Sequence, residues 1–152
     1  MKWVKILMAS LPAFATVFVL AVTISALQQI NLAWSSHLFT PKYCHFSVEI
    51  TLLFFYFIIA FCIMDQIYFK ANKRFFILLI VFIFFIIIWN ISFFVCKNLS
   101  FTFAMSLVAL FIEIAIQICV IKNYGYSALV FPCVIFMNIY FIKIIYHILI
   151  LN

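Results

Sequence analysis

Charged side chains and glycine are scarce in this sequence. Only 8% of its 152 residues are charged, three residues are acidic and glycine occurs once, whereas 71% of the residues are hydrophobic. A single glycine excludes helix contacts built on Gly-x-x-x-Gly motifs. A soluble domain needs a polar exterior and could not cover so much apolar surface. The composition therefore excludes a soluble globular protein and predicts one embedded in a membrane.

The sequence also lacks the residue patterns on which many enzymes and metalloproteins depend. Its five cysteines contain no Cys-x-x-Cys pair, so neither a zinc site nor a disulfide framework is indicated. No nucleophile–base pair, glycine-rich phosphate loop or quartet of metal ligands is recognisable in it. We therefore predict that the chain is not an enzyme and that it has neither a metal site nor a cofactor.

The most prominent positive feature is a series of five long apolar runs. They cover residues 6–27, 47–64, 75–95, 101–121 and 128–151. Each run is about long enough to cross a hydrocarbon core of about 30 Å as a helix. The gaps between them are short except for the first, residues 28–46. We predict an all-α integral membrane protein in which residues 1–152 form a single domain, a five-transmembrane-helix bundle.

The basic residues predict how the helices are oriented. With the N-terminus in the cytoplasm, the cytoplasmic side would carry six basic residues and the opposite loops only Lys42 and Lys97. This imbalance fits the excess of Lys and Arg in cytoplasmic loops. The six are Lys2, Lys5, Lys70, Lys73, Arg74 and Lys122. Because no basic surface lies outside the membrane boundary, we predict the lipid bilayer as a partner and no nucleic acid.

A few polar residues lie within the apolar runs. Glu113 is near the middle of the fourth run, where an acid is costly and normally faces the protein interior. Gln117 follows one turn later on the same face, and Asn138 of an antiparallel fifth helix would lie at a similar depth. Glu113 therefore belongs either to a polar pocket or proton site, or to a structural pair in which a protonated acid bonds to Asn138. Asp65, at a predicted helix end, is expected to be solvated.

Three segments resemble the TspO/MBR family of tryptophan-rich sensory proteins and translocator proteins. The segment FTPKYCHFSVEITLLF (39–54) follows the family pattern Trp-x-Pro-Pro-x-Trp-x-Phe-Pro-x-x-Trp-x-x-Leu-Tyr without a gap. IIIWNISFF (86–94) is similar to the family's Asn-x-x-Trp-x3-Phe-Phe, and PCVIF (132–136) to its Pro-x3-Trp. The matching residues are Pro41, Trp89, Phe93, Phe94 and Pro132. Five helices with a long first loop also resemble the family layout.

This resemblance implies a membrane protein that binds, transports or senses a hydrophobic ligand of the porphyrin (tetrapyrrole) or sterol class. Family members hold such ligands between the helices and beneath the first loop. Ile50, Ile86 and Phe136 stand where the family has Trp, Asn and Trp, and Phe54 stands where it has Tyr. The resemblance also implies a homodimer in a bacterial cell membrane or an organellar membrane, with porphyrin or haem as a ligand. The ligand-binding residues would be Trp34, Ile50, Phe54, Ile86, Trp89, Phe94 and Phe136.

Two other functions remain open from the residues alone. Glu113, Gln117 and Asn138 would suit a proton-coupled transporter of a small molecule. The chain would also suit a structural subunit of a larger membrane complex, which needs no ligand. The three functions differ in what they require of Glu113 and of the aromatic residues.

Overall fold

Apolar segments in a membrane form helices because lipid offers the backbone no hydrogen-bond partners. The computed structural model describes residues 2–30, 38, 47–69, 73–123 and 125–152, with the backbone only at 47–50. In these ranges the chain is almost entirely helical and contains no strand. The helices are α1 (Lys2–Ile30), α2 (Ser47–Tyr68), α3 (Lys73–Asn90), α4 (Leu99–Lys122) and α5 (Pro132–Leu151).

Two short helical pieces extend this set. A π-helical turn, Ile91–Val95, prolongs α3, and a helical segment, Ser127–Val130, precedes α5. Counted with these pieces, five helices in the described ranges are long and apolar enough to cross a membrane. The prediction of an all-α, five-helix membrane bundle is confirmed. The chain is accordingly a multi-pass membrane protein.

Some helices extend beyond the apolar runs from which they were predicted. α1 continues to Ile30, inside the predicted loop 28–46, and α2 continues to Tyr68, past residue 64. A run defined by hydropathy ends at the first polar residues, whereas backbone hydrogen bonding continues through them because Asp and Gln are tolerated in helices. Asp65 and Gln66 consequently lie in the last turn of α2.

Helix α4 occupies a central position in the bundle. It packs between α3 and α5, while α1 packs mainly on α2. The main core receives buried side chains from all five helices and from the connection before α5. Its members include Ala13, Ile59, Cys62, Phe75, Phe82, Ile116, Val120, Phe131 and Val134. A smaller core at the other end of the bundle contains Phe93, Phe94, Ile144, Ile145 and Ile148.

The outer surface of the bundle is apolar. Phe57, Phe111 and Leu129 are 74%, 73% and 80% exposed, respectively. Contiguous exposed apolar surface of this kind marks an interaction site or a membrane face in a folded protein. Here it lies on helices of membrane-spanning length, so lipid is the solvent that it meets.

The connection between α3 and α4 is tight and well defined. Asn98 caps α4, because its side-chain oxygen accepts a hydrogen bond from the Phe101 backbone N–H at 3.0 Å. The preceding Lys97 adopts a left-handed backbone conformation with φ of 56°. The π-helical turn of α3 ends directly before these residues. Such turns interrupt regular helices and often occur beside functional residues.

Candidate functional site

Four polar residues in the middle of α4 lie on one side of that helix. Thr102, Ser106, Glu113 and Gln117 follow one another at steps of four, seven and four residues. Because an α-helix has 3.6 residues per turn, these steps keep the side chains within a narrow stripe. The stripe faces α3 and α5, from which Trp89, Ser92 and Asn138 join it. We call these seven residues the polar seam.

Glu113 and Asn138 form the centre of the polar seam. Glu113 is 1% exposed, and Asn138 Nδ2 donates a hydrogen bond to Glu113 Oε2 at 3.1 Å. The same Nδ2 lies 3.4 Å from the carbonyl oxygen of Ser106. The structure thus brings Glu113 and Asn138 together, as an antiparallel pairing of α4 and α5 requires. An amide donor beside a buried carboxyl group fixes its orientation and offsets part of its desolvation.

Gln117 lies on the same face of α4 as Glu113, but its side chain hydrogen-bonds to the segment before α5. Its Nε2 donates to the backbone oxygen of Ala128 at 3.0 Å, so it binds the helical segment before α5. Its Oε1 is buried and has no hydrogen-bond donor among the described residues. A buried oxygen without a partner is destabilising by about 1–3 kcal/mol. Gln117 therefore retains an unused acceptor one turn from Glu113.

Trp89 connects α3 to the same seam. Its indole Nε1 donates to the Ser106 hydroxyl at 2.6 Å, and its ring stacks on Phe93 with centroids 5.6 Å apart and planes 8° apart. The Ser106 hydroxyl in turn donates to the Thr102 carbonyl at 3.0 Å. The indole therefore fulfils its hydrogen-bonding capacity inside the protein.

Hydrogen bonds continue from Thr102 to the α3–α4 turn. The Ser92 and Thr102 hydroxyls lie 2.8 Å apart, and Thr102 Oγ1 donates to the Asn98 carbonyl at 2.7 Å. From Thr102 to Gln117 the stripe extends about 22 Å along α4, at about 1.5 Å per residue. This distance is most of the thickness of a hydrocarbon core of about 30 Å. The polar seam thus crosses most of the membrane.

The residues assigned to an aromatic ligand pocket are not brought together within one chain. Phe54 and Phe136 are 59% and 70% exposed and point away from the core. Phe94 is buried in the smaller core, and Ile86 packs on the main one. On α2 the neighbouring Phe55 is the ring that faces inward, with its centroid 6.2 Å from that of Phe82.

Two further pocket residues cannot be placed from the structure. Trp34 and the side chain of Ile50 lie outside the described residues. The predicted first loop, from which Trp34 was expected to cover the ligand, falls largely outside them as well. The described members of the set therefore divide into inward-facing Ile86, Trp89 and Phe94 and outward-facing Phe54 and Phe136.

An open groove lies between α1 and α3. Its volume is about 400 Å³, and its walls are mainly apolar. Two threonines contribute to it, but Thr16 and Thr23 each donate to a carbonyl of their own helix at 2.8 Å. The groove therefore offers apolar contact and few unused donors. It is lined by Ala15, Thr16, Val19, Leu20, Thr23, Ile83 and Ile87.

A second buried polar cluster lies where α2 ends beside the α4–α5 connection. We call its members Asp65, Gln66, Asn123 and Ser127 the latch. Asp65 Oδ2 accepts from the Ser127 N–H at 2.8 Å and from the Ser127 hydroxyl at 2.7 Å. Gln66 Nε2 donates to Ser127 Oγ at 2.6 Å, and Asn123 Nδ2 donates to Gln66 Oε1 at 2.9 Å. These bonds join α2 to both ends of the connection.

The burial of Asp65 corrects the expectation that this residue is solvated. Asp65 is only 6% exposed and Gln66 is fully buried, because α2 continues past the apolar run and the α4–α5 connection packs over its end. Gly125 makes this approach possible, since a Cβ there would overlap Asp65 Oδ2 and crowd Gln66 Nε2. The only glycine of the sequence, two residues before a helix-starting serine, is the signal that sequence reasoning missed.

No cluster of three or more His, Cys, Asp or Glu side chains that could hold a metal occurs in the described ranges. Comparisons with protein-family models, with curated proteins and with solved structures found no match to this chain.

Proposed function

We propose that this protein is a proton-coupled transporter of a small molecule and that Glu113 is its proton-exchanging group. The observation that carries the proposal is the contact between Glu113 Oε2 and Asn138 Nδ2 at 3.1 Å in the buried centre of α4 and α5. Acidic residues inside membrane spans are rare and typically mark ion or proton pathways. Glu113 is also the only residue of the polar seam whose side chain is a carboxylic acid.

The neighbours of Glu113 suit a group that gains and loses a proton. Asn138 is a neutral donor, so it can bond a carboxyl oxygen in both protonation states without adding a charge. Gln117 supplies an unused buried oxygen one turn away, which suits a substrate carrying N–H or O–H donors. Toward the α3–α4 turn the hydroxyls of Ser106, Thr102 and Ser92 extend the hydrogen-bonded path.

The first test measures currents from protein reconstituted on a solid-supported membrane. Amino acids, small amines and cationic dyes are applied one at a time with and without a pH gradient. We expect at least one compound to evoke a gradient-dependent current, and Glu113→Gln to reduce it about 100-fold or more, because the amide cannot release a proton.

The matched control is Ile114→Leu, which changes a neighbouring lipid-facing side chain on the same helix. Its current should equal that of the unchanged protein. A gradient-dependent current that persists in Glu113→Gln would refute the assignment of Glu113. The absence of current from every compound, with folded protein in the membrane, would refute transport of these classes.

A second function is favoured by the open groove between α1 and α3. In it we propose a site for a hydrophobic ligand of the porphyrin or sterol class, in keeping with the resemblance to the TspO/MBR family. A volume of about 400 Å³ lies within the range of ligand pockets, which is about 300–1,000 Å³. The outward-facing Phe54 and Phe136 would contribute only where a second copy covers them, as in the homodimer that the resemblance implies. The membrane would be a bacterial cell membrane or an organellar one.

Protoporphyrin IX titration followed by tryptophan fluorescence tests this second function. Trp89 belongs to α3, the helix that forms one wall of the groove, so a porphyrin bound there should quench it saturably. Ala15→Leu, which fills the groove, should abolish the saturable part of the quenching. Trp89→Phe should remove the contribution of Trp89 to the fluorescence signal. Ala104→Leu, at an exposed site of α4, is the control and should leave the saturable quenching unchanged. Linear quenching that no variant alters would mean partition into detergent and would refute the site.

A further inference from the structure

The two ends of the polar seam differ in how they meet the membrane surface. Toward the α3–α4 turn, hydroxyl groups follow one another until the Asn98 carbonyl, and Asn98 itself is exposed. Toward the α4–α5 connection, the last seam residue is Gln117, and the next inward residue of α4, Val120, is fully buried and apolar. On α4 itself, polar side chains therefore continue to the surface at the first end, whereas an apolar side chain follows Gln117 at the second.

The apolar end of the polar seam lies beside the latch. Phe131 and Val134 pack with Val120 and Ile116 in the main core, and all four side chains are fully buried. Directly beyond them, Asp65 and Gln66 hold Ser127 through three hydrogen bonds of 2.8 Å or less. The fit of Gly125 against Asp65 leaves no room there even for a methyl group. The side chains at this end are therefore closely packed.

The helical segment Ser127–Val130 connects the latch to the seam. Its first residue is bound by Asp65 of α2, and its second, Ala128, accepts the hydrogen bond of Gln117 from α4. A single residue outside regular helix, Phe131, separates the segment from Pro132, the first residue of α5. The same four-residue segment is thus hydrogen-bonded to Asp65 at Ser127 and to Gln117, one turn from Glu113, at Ala128.

From this arrangement we infer that the latch is the gate of the polar seam on the side of the α4–α5 connection. While Asp65 holds Ser127, Glu113 exchanges protons toward the α3–α4 turn alone; release of Ser127 frees the segment 127–130 and admits water from the other side. The inference rests on the proposed proton exchange at Glu113. Asp65 and Ser127 act in it as positioning residues, since neither contacts the carboxyl group of Glu113. By the distribution of basic residues, the gated side is the predicted cytoplasmic side.

The test measures from which side of the membrane Glu113 can be reached. A water-soluble carbodiimide with glycine ethyl ester converts an accessible carboxyl group into a stable amide, which peptide mass spectrometry locates. The reagents are applied to vesicles of either orientation. In the unchanged protein we expect Glu113 to be tagged mainly from the side of the α3–α4 turn.

Loss of the latch should remove this asymmetry. We expect Ser127→Ala to raise tagging of Glu113 from the α4–α5 side about tenfold, because the variant loses the hydroxyl that bonds both Asp65 and Gln66. Asp65→Asn provides a second variant, because its amide keeps the size of the side chain but presents donors to the Ser127 donors. Ser100→Ala, the same change at an exposed serine of α4, is the matched control and should preserve the asymmetry.

Two results would overturn the gate. One is equal tagging of Glu113 from both sides in the unchanged protein. The other is that Ser127→Ala and Asp65→Asn show the same sidedness of Glu113 tagging as Ser100→Ala, although their elution volumes show that both variants are folded. Because the readout is accessibility rather than current, these results differ from those that would refute transport. A Glu113→Gln variant, which carries no carboxyl group there, identifies the tagged peptide.

Discussion

At the scale of single residues, the protein depends on a few polar atoms buried in apolar surroundings. Glu113 has one amide donor, and Asp65 has three donor groups around one carboxylate oxygen. Several donors hold the Asp65 carboxyl group in one orientation, whereas Glu113, the group that exchanges a proton in the proposed function, has a single amide donor. The sequence indicated the first contact through matching depths on α4 and α5. It did not indicate the second, because Asp65 and Ser127 are 62 residues apart.

One residue-scale prediction concerns the single glycine. Gly125→Ala should lower the free energy of unfolding by about 1–3 kcal/mol, because the added methyl group overlaps Asp65 Oδ2 in a closely packed site. The measurement is thermal unfolding in detergent followed by circular dichroism. The double variant Gly125→Ala/Asp65→Ala should lose less stability than the two single variants together, since the overlapping carboxylate is gone. Strict additivity would show that Gly125 does not act through Asp65.

At the scale of elements, the helices are apolar on all sides rather than amphipathic. Such helices suit burial in a membrane, but they give no stripe from which the inward face can be read. On α2 the family resemblance placed Phe54 in the ligand pocket, whereas the structure turns Phe55 inward and leaves Phe54 exposed. On α4 the rotation was predictable, because Glu113 and Gln117, the polar residues near its middle, share one side.

The cap of α4 provides a prediction at this scale. Asn98→Ala should reduce stability by about 1 kcal/mol, since it removes the side-chain acceptor for the Phe101 N–H. Asn98→Asp retains that acceptor and should remain close to the unchanged protein. Thermal unfolding of the three proteins in the same detergent checks both expectations. Equal losses in the two variants would mean that the amide group of Asn98, rather than its oxygen, stabilises the turn.

At the scale of the whole molecule, α4 links two polar clusters on different sides of the bundle. Its stripe contacts α3 and α5 through the seam, and Asn123 after its last turn contacts Gln66 in the latch. A motion of α4 relative to α2 would therefore break latch contacts, whereas a motion of α3 would disturb Trp89 and Ser106. The two sets of contacts lie toward opposite ends of α4. The sidedness of Glu113 tagging tests this organisation directly.

The number of helices, their membrane-spanning length and the shared depth of Glu113 and Asn138 were all predictable from the amino-acid sequence. These features depend on consecutive residues and on short connections, so hydropathy and helix geometry suffice to predict them. Only the tertiary structure decided that Phe54 and Phe136 face outward, that Gln117 binds Ala128 and that Asp65 is buried. Each of these depends on how helices without a polar face rotate and pack against distant neighbours. That rotation is set by side-chain fit between helices, which no local run of residues encodes.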